Sequence, residues 1–360
     1  MRKSVIISIA AVAVCLLGVI ACTKDFTGRT IRFRASTRPG SPVTRTSYSG
    51  ATYGSGSSVY ERIDWSDGDV IVLAMKNNDV AIASQQYKVN AITVAGVNSK
   101  TGLEPYGSQN GLTWGEGTHD FWAGYPASKV TVGDHTLQAT IPSSQVVSYS
   151  KKANNSLIFN PDMTNAFMVA GLQDVPTDSG INLDFYPAYT CFDFTVGAND
   201  NTTITSFVME TNSYEIETAS IMPLAGVAKA TFDAAGNMSF SFQTIGTTSN
   251  TVSLVFHDDK DASYNPIIST STSMNFKVFA LPQDITGVRI VFNLSDGTTK
   301  SLRLKQVNPS TLDKEWITFP ATAKINITGL LVPGAVWYIN FDYPRQEQWI
   351  VHPDIEIGVE

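Results

Sequence analysis

Beyond its first two dozen residues, no stretch of 15 residues in this chain keeps a helical period, and this constrains the fold more than any figure of composition. Apolar residues recur instead at every second position in short runs, the spacing of a strand with one buried face. The first run is Thr30-Ile31-Arg32-Phe33-Arg34-Ala35-Ser36. It stops at Arg38-Pro39-Gly40-Ser41-Pro42, where prolines and glycine cannot continue a ladder. Ile63-Asp64-Trp65-Ser66-Asp67-Gly68-Asp69-Val70-Ile71 reads as strand, Asp-Gly turn, strand. Short runs separated by glycine, asparagine and proline clusters then continue to Lys324-Ile327. Met163 to Leu172, opened by Asn160-Pro161-Asp162, is the one piece with helical or irregular character. Val175-Pro176-Thr177-Asp178-Ser179-Gly180 is a polar turn cluster of linker type. The pattern predicts an all-β chain of two sandwiches, over residues 46–176 and 177–360.

Residues 1–21 are set apart. Arg2 and Lys3 precede an apolar run from Val5 to Ala21 that ends in small residues and Cys22. This is the pattern of a cleaved bacterial lipoprotein signal, whose cysteine carries the lipid. Two or more acyl chains give stable anchoring, so a lipidated Cys22 implies a chain held at an outer membrane and exposed at the cell surface. The mature chain would have 339 residues, more than one hydrophobic core usually supports. Its 23 basic residues against 32 acidic ones give a surface that repels nucleic acid. With Cys22 lipidated, Cys191 is left alone in Tyr189-Thr190-Cys191-Phe192, so no internal disulfide is expected and the fold must rest on its apolar core.

The C-terminus alternates most sharply. Trp349, Val351, Pro353, Ile355, Ile357 and Val359 occupy odd positions, and Gln348, His352, Asp354, Glu356 and Glu360 even ones. Such a strand can be the edge or core of its own sandwich, or it can be lent to a neighbour, because the period does not say which groove it fills.

Searching for chemistry yields little. His119, His135, His257 and His352 have no second ligand at metal spacing, and no metalloprotease, Cys-x-x-Cys, nucleophile-elbow or phosphate-loop motif occurs. No enzyme activity, cofactor or structural metal is expected. Asp64, Asp67 and Asp69 around Gly68, and Asp258, Asp259 and Asp261, leave calcium open, although a full calcium loop is missing in both places. Tyr53, Tyr60, Trp114, Trp122 and Trp337 would form the stacking platform if the chain were instead a surface lipoprotein that binds glycans without polymerising.

Several segments together resemble the fimbrillin (Mfa-like) family, the subunits of type V pili in Bacteroidetes. They are the lipobox at Cys22, Thr44-Arg45-Thr46-Ser47-Tyr48, Ile63 to Ile71, Pro161-Asp162-Met163, Leu183-Asp184-Phe185-Tyr186-Pro187 and Ile327-Thr328-Gly329-Leu330-Leu331-Val332-Pro333-Gly334. Their order covers nearly the whole mature chain. The resemblance implies two tandem transthyretin-like β-sandwich domains, preceded by a lipidated extension at 22–45. It also implies joining by strand exchange after an arginine-specific protease removes the first strand. Ile31, Phe33 and Ala35 would then be the strand removed, and Trp349, Val351, Ile355, Ile357 and Val359 the strand donated. Arg45 is the better cleavage site, because Arg38 precedes Pro39. The partners implied are other fimbrial subunits, in homo-polymer or hetero-assembly, the processing protease, the membrane through the lipid, and a host or bacterial surface receptor. An anchor subunit would escape cleavage and keep its lipid.

Overall fold

The computed structural model describes residues 28–37, 48–53, 60–63, 65, 68–77, 81–90, 101–151, 157–211, 222–232, 240–259, 264–307, 311, 313–342 and 355–358. Among these there is no α-helix, and strands carry nearly all the regular structure. The single helical turn is a 3-10 turn at Met163–Asn165, where the Asp162 carboxylate accepts from the Thr164 amide at 3.0 Å. The helical character expected from Met163 to Leu172 ends there. Met168–Pro176 is a strand, since its neighbour Thr118–Tyr125 offers it a ladder from Met168 to Pro176 and a core face for Met168 and Ala170.

The first core lies inside a closed barrel. Its strands run in the order Phe33–Thr37, Ile181–Pro187, Met168–Pro176, Thr118–Tyr125, Val70–Lys76, Ala83–Asn90 and Thr101–Pro105, and the last pairs back to the first. A sheet of Phe240–Ser249, Ala225–Phe232, Thr136–Ile141 and Val130–Gly133 contributes Ala228, Ala230, Leu137, Ala139 and Ile141 to the same core. Among the described residues, the two strands flanking Gly68 do not pair with each other as the expected Asp-Gly hairpin requires. Gly68 turns the chain at φ +92°, but Tyr60–Ile63 pairs with Tyr48–Tyr53, whereas Val70–Lys76 lies between Ala83–Asn90 and Thr118–Tyr125. A local turn signal was overridden because Ile71 and Leu73 gain full burial in the barrel.

The second core is held between two sheets. One contains Leu157–Pro161, Ser144–Lys151, Thr251–Asp258, Thr202–Thr211, Val288–Leu294 and Thr299–Arg303 in that order, and Ile267–Ile268 pairs with its Thr202–Thr211 strand. The other has five strands: Met274–Ala280, Thr190–Gly197, Lys324–Leu330, Val336–Asp342 and Ile355–Gly358. Phe207 joins them through ring contacts of 5.0 Å to both Phe194 and Phe276. Cys191 is buried, as expected of a core residue. The division expected at 176/177 falls between two neighbouring strands of the barrel, and the two cores exchange segments in both directions along the chain.

The five-stranded sheet is stitched by charge. Asp193 stands opposite Lys277 in the antiparallel register, and its Oδ2 accepts from Lys277 Nζ at 2.6 Å and from Lys324 Nζ at 3.2 Å. Burial pushes the Asp193 carboxyl up, but the two ammonium groups outweigh it and hold the group below the usual carboxylate range.

Candidate functional site

The seat of the first strand is the best-defined site. The chain enters it through Gly28, at φ +77°, with the Gly28 amide donating to Trp114 O at 2.8 Å and the Trp114 amide donating back to Arg29 O at 2.9 Å. Ile31 N donates to Leu112 O at 2.8 Å. Phe33–Thr37 then runs parallel to Ile181–Pro187, with Phe33 opposite Ile181 and Thr37 opposite Phe185. On its other side it is antiparallel to Thr101–Pro105, pairing Phe33 with Leu103 and Ala35 with Thr101.

The period read from sequence is the period of burial. Ile31, Phe33 and Ala35 are 3%, 2% and 0% exposed, while Arg32 and Arg34 between them are exposed. Phe33 meets Tyr87 edge-on at 5.2 Å and Phe121 at 5.5 Å. The Tyr87 hydroxyl accepts from the Leu112 amide at 2.7 Å, and burial raises this phenol against the opposing pull of that bond. Burying the Ile31 and Phe33 side chains contributes on the order of 3 to 6 kcal/mol as an upper bound. Taking this strand away would leave two open ladder edges and an uncovered apolar wall of Tyr87, Leu103, Phe121 and Leu183, because it has a partner on each side. These lining residues are scattered over the sequence and carry no motif; only the alternation at 31–35 pointed to the wall that receives it.

The other expected positions fall partly within and partly outside the described residues. Ile355–Gly358 forms a strand at the edge of the five-stranded sheet, where Ile355 stands opposite Ile339 and Ile357 opposite Trp337. Both partners are fully buried. Cys22, Arg38, Arg45, Trp349, Val351 and Val359 lie outside the described residues. So do Asp64, Asp67 and Asp261 of the two acidic clusters. Asp69 is buried and accepts from the Tyr125 hydroxyl at 3.1 Å, a structural use of its carboxylate. Among the described residues no group of three His, Cys, Asp or Glu side chains could hold a metal. Trp114, Trp122 and Trp337 are buried at 5%, 0% and 0%, so these three cannot form a sugar-stacking platform. His119 is also buried. Its Nε2 faces the Gly115 amide at 3.0 Å and Asn77 Nδ2 at 3.2 Å, and burial lowers its pKa.

No protein-family model matches the chain, and no curated protein does. Similarity is found among solved structures. A candidate cell adhesion protein of Bacteroides uniformis is 13% identical over 87% of this chain and 97% of that one, with a TM-score of 0.48. A second, from Bacteroides ovatus, is 12% identical over 92% and 98%, with a TM-score of 0.45. The tip fimbrial protein Mfa3 of Porphyromonas gingivalis, with a C-terminal truncation, is 8% identical over 86% and 98%, with a TM-score of 0.32.

Proposed function

We propose that this chain is a structural, adhesive subunit of a cell-surface fimbria, exported as a lipoprotein on Cys22 and joined to its neighbours by strand exchange. The observation that carries this reading is the first strand. It is a short segment at the start of the mature chain, apolar at alternate positions, and held on both sides in a barrel that it helps to close. Such a seat can accept a strand from another subunit through the same ladder, with backbone hydrogen bonds supplying affinity and alternate side chains specificity. Cleavage after Arg45 would detach the segment that bears Ile31, Phe33 and Ala35, together with the lipid. The vacated wall would then be covered by the incoming strand. In this reading the chain works outside the cell, and it performs no catalysis.

The test uses the folded full-length chain and an arginine-specific protease, followed by electrophoresis without boiling. A shortened N-terminus beginning at Thr46 and a ladder of oligomers are expected. A monomer that stays monomeric after cleavage would refute the strand-exchange role. A chain that resists the protease and keeps its lipid, yet caps fimbriae made by other subunits, would be an anchor.

A further inference from the structure

We infer that the barrel seat rejects this chain's own C-terminal segment and takes its strand from a different subunit, one that is apolar, apolar and small at alternate positions with basic residues between them; this rests on the strand-exchange reading above. The requirements come from the occupant now seated. The position of Ile31 needs a backbone donor, since its amide bonds Leu112 O. The position of Phe33 faces Tyr87 and Phe121 and takes a large ring. The position of Ala35 is closed, fully buried between Thr101 and Leu183, which are themselves 4% and 0% exposed. On the outer side the seated strand presents two arginines to polar neighbours. Arg32 precedes Phe33, whose partner Leu103 is followed by exposed Glu104, itself opposite Lys88, and Arg34 stands opposite Asn182, which donates to Asp184.

Laid in the direction of the seated strand, the C-terminal segment fails these requirements in every register. Turning its even positions inward would bury His352, Asp354 or Glu356 without designated partners. Four registers turn three successive odd positions inward, and three of them put Pro353 at the place of Ile31, Phe33 or Ala35. A proline has no amide to donate, and the seat is flanked by strands on both sides. The fourth register puts Ile355, Ile357 and Val359 at the three places. Val359 then adds two methyl groups where Ala35 fits, and overpacking a closed position weakens it. The same register brings Glu356 to the place of Arg32, beside Glu104, where facing like charges repel. Size and charge therefore point the same way. A strand of the composition Ile-Arg-Phe-Arg-Ala satisfies the seat, and the chain's own terminus does not.

The experiment folds the full chain first, nicks it after Arg45, and measures uptake of a labelled peptide spanning residues 28–38 in competition with unlabelled peptides. If the arginine-specific protease leaves the chain intact, a site for a second protease inserted after Arg45 produces the same nicked form. The 349–360 peptide is expected to compete at least a hundredfold less well than the 28–38 peptide. Val359→Ala in it should recover about tenfold, and Glu356→Arg should recover a further few-fold at low salt that fades at high salt. Equal competition by the unmodified 349–360 peptide, or no response to either substitution, would overturn the inference while leaving strand exchange standing. Failure of the 28–38 peptide itself to enter the nicked barrel would overturn both.

Discussion

The first strand and the terminal strand share a period of two and differ in their neighbours. Phe33–Thr37 has a hydrogen-bonded strand on each side and closes a barrel, whereas among the described residues Ile355–Gly358 has one partner and ends a sheet. The opposite edge of that same sheet is guarded. Gln145, 2% exposed, donates to Phe279 O at 2.7 Å and accepts from the Phe279 amide at 3.1 Å, so a side chain occupies backbone groups that an incoming strand would use. The difference teaches that alternation only says a strand has a buried face. Whether its loss uncovers a core depends on how many neighbours hold it.

The comparison is broken most directly at Phe33. Phe33→Ala is expected to destabilise the chain by about 3 to 5 kcal/mol in urea titration, because it empties the ring contacts to Tyr87 and Phe121. Deleting residues 355–360 should cost less than half of that and leave a folded monomer. A reversed order would mean that the terminal strand, not the first, holds its body together.

Asp193→Asn tests whether charge is what keeps the five-stranded sheet intact next to its guarded edge. Removing the carboxylate that both Lys277 and Lys324 bond should cost about 3 kcal/mol near neutral pH. The sign of the pH effect follows from the lowered pKa. The stability from this carboxylate is fully present above the unfolded value of about 4 and is lost as pH falls through the lower folded value. Urea midpoints of wild type and variant should therefore converge below about pH 4. A gap that stays constant with pH would assign the loss to packing instead of charge.

Gly329→Ala sharpens the contrast at the terminal strand itself. An added Cβ would lie 2.2 Å from the Trp337 ring, and Trp337 stands opposite Ile357. A loss of about 2 kcal/mol is expected from the strain, with faster amide exchange at Ile355–Gly358 and none at Phe33–Thr37. Gln145→Leu removes the guard on the other edge and should cost about 1 to 2 kcal/mol, with exchange accelerated at Phe279. The smallest effect is expected at the barrel surface. Lys76→Met breaks the 2.8 Å pair with Asp134, whose side chain is 57% exposed, and should change stability by no more than about 0.5 kcal/mol. A large loss there would show the barrel to depend on its surface as well as its closing strand.

Much of this architecture was legible residue by residue. The alternation at Ile31, Phe33 and Ala35 gave both the strand and its buried face, and the short run at Lys324-Ile327 became the strand Lys324–Leu330. Misreadings arose where a local signal competed with distant partners. Among the described residues, the strands flanking Gly68 did not pair with each other, and the segment after Met163 became a barrel strand. Of the site, the seated strand was readable and the wall around it was not. Tyr87, Leu103, Phe121 and Leu183 come from four different strands, three of them successive in the chain and the fourth, Ile181–Pro187, distant from them.

The sequence by itself determined that this chain is built from strands and which face of each is apolar, because that depends only on the two-residue repeat of an extended backbone. Only the tertiary structure decided who pairs with whom. The parallel partnership of Phe33–Thr37 with Ile181–Pro187 joins segments nearly half the chain apart, and no local period encodes it. A strand's repeat is the same whichever groove it enters. What distinguishes a strand enclosed on both sides from one at an open edge is the burial and hydrogen bonding supplied by distant residues, and these exist only once the chain has folded.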